Sequence, residues 1–93
     1  MIIVNNCAGK VTASAVPYPP DREADEDDAR SFVMLSGSDI EPGSSFEDFE
    51  GKNDWPVLVS IQGESGEIWF QVFDLEDLKP VFELNPESGN CPG

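Results

Sequence analysis

The chain has 93 residues and a mass of 10.2 kDa, room for a single domain, since one core usually occupies ~50 to 200 residues. Leu, Ile, Val and Phe make up about a quarter of it, above the roughly 20% below which highly charged chains stay unfolded, so a core can form. Lys+Arg number 5 against Asp+Glu 19, a formal net charge of -14 and a pI near 4.1, which opposes binding to DNA, RNA or an anionic membrane and points to a basic partner.

No apolar run approaches the ~18 residues of a membrane span. Residues 1–6 lack both the basic start and the long apolar stretch of a signal peptide. A soluble, cytoplasmic chain with no membrane association is the expectation. Cys7 and Cys91 stand at opposite ends, outside any CxxC spacing, and without a His in the sequence they cannot complete a four-ligand zinc site. Free thiols or one bridge tying the termini are both open, and the free-thiol reading is preferred for a reducing cytosol.

In chain order, residues 2–4 and 11–16 read as strands from their β-branched residues, the second ended by Pro17, Pro19 and Pro20. Residues 21–28 hold six acids and one base, a solvated loop or one helical turn. The apolar run 31–35 fits a buried strand or the end of a helix beginning after Pro20. Its length does not decide, and the strand reading is preferred, ended by Ser36-Gly37. A second acidic stretch covers residues 39–50, where Ser45 is placed to cap a turn carrying Phe46 and Phe49 toward the core.

The strongest local signal is a hairpin. Residues 57–62 and 67–73 flank the glycine-bounded loop Gly63-Glu64-Ser65-Gly66. Pairing Gln62 with Glu67 brings Ile61 to Ile68, Val59 to Phe70 and Val57 to Val72, one apolar row on one face. Trp69 and Phe73 then fall on the opposite face beside Leu58 and Ser60, and Trp55 precedes the hairpin. Residues 74–78 read as one tight turn and residues 79–84 as a last strand. This order, a hairpin running through Trp69 and Phe73 into the turn Asp74-Leu75-Glu76-Asp77-Leu78 and a closing strand Pro80-Val81, resembles an SH3-like small β-barrel. The expected fold is therefore mainly β: an SH3-like barrel or rolled antiparallel sheet of about five strands with at most one short helix. It forms a single domain over 1–93, with acidic loops at about 19–30 and 39–54 and a flexible tail at 85–93.

Without His, Ser-His-Asp and Cys-His catalysis are impossible. Paired carboxylates abound, but a catalytic pair needs one member desolvated in a cleft, for which so small a chain has little room. There is no GxxxxGK[ST] or GxGxxG loop. Asp21, Glu23, Asp25 and Asp27 alternate as in a calcium loop, yet the sixth position holds Glu26 instead of glycine and the twelfth Phe32 instead of glutamate. No catalytic residue, cofactor or metal is expected.

The acidity has three explanations: plain solubility, charge mimicry of nucleic acid, or the rim of an adaptor that docks through aromatics. A 93-residue domain with a radius of gyration of about 12 Å spans roughly 30 Å, the length of duplex carrying ~18 phosphates, which is comparable with a net charge of -14. In size, charge and lack of enzyme motifs the chain resembles small phage and mobile-element inhibitors of restriction and CRISPR systems. That resemblance implies a DNA mimic that occupies the basic groove of a defence protein in the host cytoplasm. The partner-binding candidates are the acids Asp25, Glu26, Asp27, Asp28, Asp39, Glu41, Glu47, Asp48 and Glu50, with Trp55 and Trp69. The alternative is an SH3-like adaptor or toxin-neutralising protein that binds through an exposed aromatic patch.

Overall fold

The computed structural model describes residues 1–47 and 54–92. Among them are seven strands and one α-helix: β1 (Ile2–Asn5), β2 (Val11–Pro17), α1 (Glu26–Ser36), β3 (Ser38–Ile40), β4 (Ser45–Glu47), β5 (Val57–Gly63), β6 (Ile68–Phe73) and β7 (Val81–Leu84). The class is mainly β with one short helix, as expected. The strands, however, divide into two sheets, ordered β4-β1-β7 and β3-β2-β5-β6. One pair is parallel, β1 with β7, matching Ile3 to Phe82 and Asn5 to Leu84. That pairing joins the two ends of the sequence, which no local pattern announces. The radius of gyration is 12.2 Å and the body measures 34 × 26 × 23 Å.

The four-stranded sheet is covered on both faces, because alternate residues of a strand point to opposite sides. Val11, Ala13, Ala15, Val57, Val59 and Ile61 join Ile3, Ile40 and Leu84 in the main core. Ser14, Leu58 and Ser60 turn the other way and are equally buried, under α1, whose Ala29 and Val33 face the sheet. The Ser14 and Ser36 hydroxyls meet at 3.2 Å across this second interface. The Ser60 hydroxyl is buried there without a hydrogen-bond partner.

The helix replaces the strand expected at residues 31–35. Asp25 caps it, its carboxylate accepting from the Asp28 amide at 2.8 Å, and Glu26, Asp27 and Asp28 fill the first turn, where the helix dipole favours negative charge. Of the acids at 21–28, read as a solvated loop or one helical turn, Asp25 to Asp28 start the helix, while Asp21 and Glu23 lie in the loop ahead of it. Gly37 ends the helix where an added Cβ would lie 2.3 Å from the Val33 carbonyl oxygen.

The hairpin forms in a register one residue away from the expected one. Gln62 pairs with Ile68, Ile61 with Trp69, Val59 with Gln71 and Val57 with Phe73. Gly66, at φ +89°, takes the third position of a three-residue loop, closed by the Gly63 amide on the Glu67 carbonyl at 2.9 Å. A loop of three residues in place of the expected four slides β6 by one and reverses its faces. Trp69 and Phe73 therefore pack against the core, while Phe70 stands opposite Ser60.

Cys7 and Cys91 are bonded, 84 residues apart in sequence, which corrects the free-thiol expectation. The segment expected as a flexible tail is tied to the body at several points. It carries a 3-10 turn at Pro86–Ser88, and buried Asn90 donates to the Glu83 carbonyl of β7 at 3.3 Å. Beyond the bridge, the Pro92 carbonyl oxygen lies 2.6 Å from where a Cβ on Gly63 would stand.

Candidate interaction surface

The candidate acids stand on the surface in two groups, each positioned by its own element. The first surrounds the start of α1. After β2, Tyr18 is buried, its amide bonded to the Pro56 carbonyl at 2.9 Å and its ring edge-on to Phe32 at 6.3 Å. Its hydroxyl donates to the Asp28 carboxylate. That hydrogen bond, with burial second, raises the Tyr18 pKa above its ordinary 10.0. Arg22 lies over the same ring, 5.8 Å from its centroid, and reaches Asp28 at 3.4 Å. The loop between Pro19 and Asp25 is thereby held against the body, leaving Asp21, Glu23, Asp25, Glu26 and Asp27 exposed to solvent.

The second group lies along β3, the turn after it and β4. Asp39 accepts from the Thr12 hydroxyl at 2.8 Å and stands 3.8 Å from the Lys10 ammonium. Glu41 and Glu47 are exposed. Asp48 and Glu50, like the Phe49 expected to point to the core, lie outside the described residues. The sequence candidates thus fall into two places, Asp25 to Asp28 on the helix and Asp39, Glu41 and Glu47 on the β3–β4 stretch.

The acids within a group are not equivalent. Asp25 is a helix cap and Asp28 is tied to Tyr18 and Arg22, so both carry structure. Glu26 is exposed and 3.4 Å from Arg30, a pair that contributes little at a surface. Asp27 is exposed, and only its backbone carbonyl takes part in a hydrogen bond, accepting from the Ser31 hydroxyl at 2.9 Å. Three ion pairs occur among the described residues against 19 acids in the chain, so most of the negative charge is unneutralised. No protein family, curated protein or solved structure matches the chain.

The aromatic candidates are placed differently from the acids. Trp69 is half-buried and stacked on Phe82, ring centroids 5.8 Å apart, and Phe73 meets the same ring edge-on at 5.6 Å. Trp55 is half-buried just ahead of β5. The large apolar side chains most open to solvent among the described residues are Met34 and Leu35, 84% and 80% exposed, which the sequence reading assigned to a buried strand.

Two further features complete the surface. A cleft of about 400 Å³ opens beside Phe73, Leu78, Val81 and Phe82, with Lys79, Glu83 and Asn85 at its walls. The carboxylates of Asp74, Glu76 and Asp77 approach within 4.8 Å of one another, all exposed. The acids at 21–27, which alternate like calcium ligands, form no such cluster. No helix among the described residues is long and apolar enough to cross a membrane.

Proposed function

We propose that this protein is a non-enzymatic acidic binding protein that inhibits a basic, nucleic-acid-binding protein by occupying its groove. The supporting observation is the charge of the folded body: a net -14 along a long axis of 34 Å. Duplex DNA of that length carries about 20 phosphates at one charge per ~1.7 Å. A cationic groove shaped for nucleic acid meets a comparable charge density here, and complementary charge speeds and orients such an encounter. The protein itself binds neither nucleic acid nor an anionic membrane, which its charge repels. Its kinship in kind is with DNA-mimicking anti-restriction and anti-CRISPR inhibitors of phage. The adaptor alternative drew on Trp55, Trp69 and Phe73 facing solvent; Trp69 and Phe73 are half-buried and packed on Phe82, which favours the exposed carboxylates as the main contact.

A cytoplasmic site of action requires the reduced chain to stay folded, because disulfides are rare in reducing compartments. The function is tested by charge reversal that spares the structural acids. Asp21→Lys, Glu23→Lys and Asp27→Lys together avoid the Asp25 cap and the Asp28 contact and give up only the dipole interaction of Asp27, worth ~0.3–1 kcal/mol, so folding is retained. Immobilised wild-type protein should capture a basic, nucleic-acid-binding protein at low salt and release it at high salt, while the triple variant captures far less. Equal capture by both proteins, unaffected by salt, would refute an electrostatic mechanism.

A further inference from the structure

Helix α1 presents a second kind of contact beside its acids. At about 100° per residue, Asp27, Ser31, Met34 and Leu35 share its outward face, opposite Ala29 and Val33, which pack on the sheet. Met34 and Leu35 stand 84% and 80% exposed. Both forgo the stabilisation that burial of an apolar side chain brings, so stability gives no reason for two adjacent large apolar side chains to face water here.

The charges around this pair are of one sign. Asp27 and Asp28 lie one to two turns earlier on the helix, and Asp39 and Glu41 follow soon after its end. Lys10 pairs with Asp39 at 3.8 Å, and the other nearby cations are turned elsewhere. Arg30 donates to the Gly66 carbonyl at 2.7 Å and pairs with Glu26, and Arg22 is held against Tyr18 and Asp28. Net charge narrows what can cover the face. A second copy would bring together two bodies of -14 each, and an anionic lipid surface would be repelled in the same way.

We propose that the outward face of α1 is a docking surface for a basic amphipathic helix of a partner protein. Its apolar stripe would cover Met34 and Leu35 across the small Ser31, while its lysines or arginines reach the exposed Asp27 and Glu41. This rests on the reading that the partner is basic and adds an apolar centre to the contact, which supplies affinity that salt does not screen.

Two fluorescent peptides of equal length and charge test it with the full chain: a Lys/Leu amphipathic helix and a Lys/Ser peptide, each titrated by anisotropy at low and high salt. The Lys/Leu peptide should bind roughly tenfold or more tighter, as burial of apolar side chains implies, and keep part of its affinity at high salt. Met34→Ser with Leu35→Ser, both at exposed positions, should bring it down to the level of the Lys/Ser peptide and leave the latter unchanged. Equal binding of the two peptides by wild type, or undiminished Lys/Leu binding by the double variant, overturns the docking surface. So does a wild-type dimer in sedimentation that the double variant abolishes, since the face then belongs to a second copy. Failure of both peptides to bind even at low salt overturns the basic-partner reading beneath it.

Discussion

Removing the bridge between Cys7 and Cys91 is the perturbation with the largest expected effect on the fold. The two residues are 84 apart, and closing a loop of that length removes ~15 cal/mol/K of chain entropy from the unfolded state, about 4.5 kcal/mol at 25 °C. A 93-residue domain has a total stability of ~5–14 kcal/mol, so the bridge accounts for a third of it or more. Cys7 is buried, so alanine, which leaves no orphaned hydroxyl, is the better replacement. For Cys7→Ala/Cys91→Ala, a loss of ~2–5 kcal/mol and a slope of ~1–2 kcal/mol/M predict a urea midpoint lower by roughly 1 M or more. The slope itself should rise, because an uncrosslinked unfolded chain exposes more surface. With the wild-type bond verified by mass spectrometry, an unchanged midpoint and slope in the double variant would refute the assignment of this stability to the bridge.

Other expectations follow from particular side chains. Leu58→Ala should lose ~2–5 kcal/mol, because Leu58 is fully buried between the sheet and α1, whereas exposed Gln71 should accept lysine with little change in thermal midpoint. Ser60→Ala should be neutral or stabilising by about 1 kcal/mol, since it removes a buried hydroxyl that lacks a partner; a clear loss on chemical denaturation would reveal a hydrogen bond at that position. Tyr18 is the single tyrosine, so tyrosinate absorbance reports it alone, and its raised pKa places ionisation above the ordinary value. The folded chain holds that proton more tightly than the unfolded one, so this stabilisation is whole below pH ~10 and is lost as pH rises through the folded pKa; Tyr18→Phe should remove that alkaline dependence. Added salt should raise the thermal midpoint by screening the repulsion among carboxylates, and a midpoint that falls steadily with salt would show that specific ion pairs outweigh it.

The parts of the fold that local chemistry dictates were legible. Alternation along residues 57–62 and 67–73 announces a hairpin, the early β-branched runs announce β1 and β2, and the tight turn after Phe73 appears as the 3-10 turn Leu75–Asp77. The hairpin register turned on one backbone angle at Gly66, which decides whether the loop holds an even or an odd number of residues, and so which way Trp69 faces. The helix was hidden by its own acids: Asp25 through Asp28 look like a solvated loop until read as a cap and a dipole-stabilised first turn, with Ala29 and Val33 four apart facing the sheet. A helix with that inward face places Met34 and Leu35 outward. The β1–β7 pairing and the Cys7–Cys91 bond connect residues some 80 positions apart, beyond the reach of periodicity. Net charge needed no structure, but the roles of its members did: Asp25 and Asp28 serve the fold, while Asp21, Glu23 and Asp27 are free to serve a partner.

The central claim is that the acidic body takes the place of nucleic acid in a basic groove. The direct measurement is competition. A labelled DNA or RNA duplex is bound to the partner recovered by capture, and unlabelled protein is titrated in while fluorescence anisotropy follows the label. The account predicts complete displacement, an apparent affinity that weakens in proportion as duplex concentration rises, and no binding of the duplex by the protein alone. A ternary complex, in which the partner holds the duplex and this protein together with undiminished affinity for each, would contradict it.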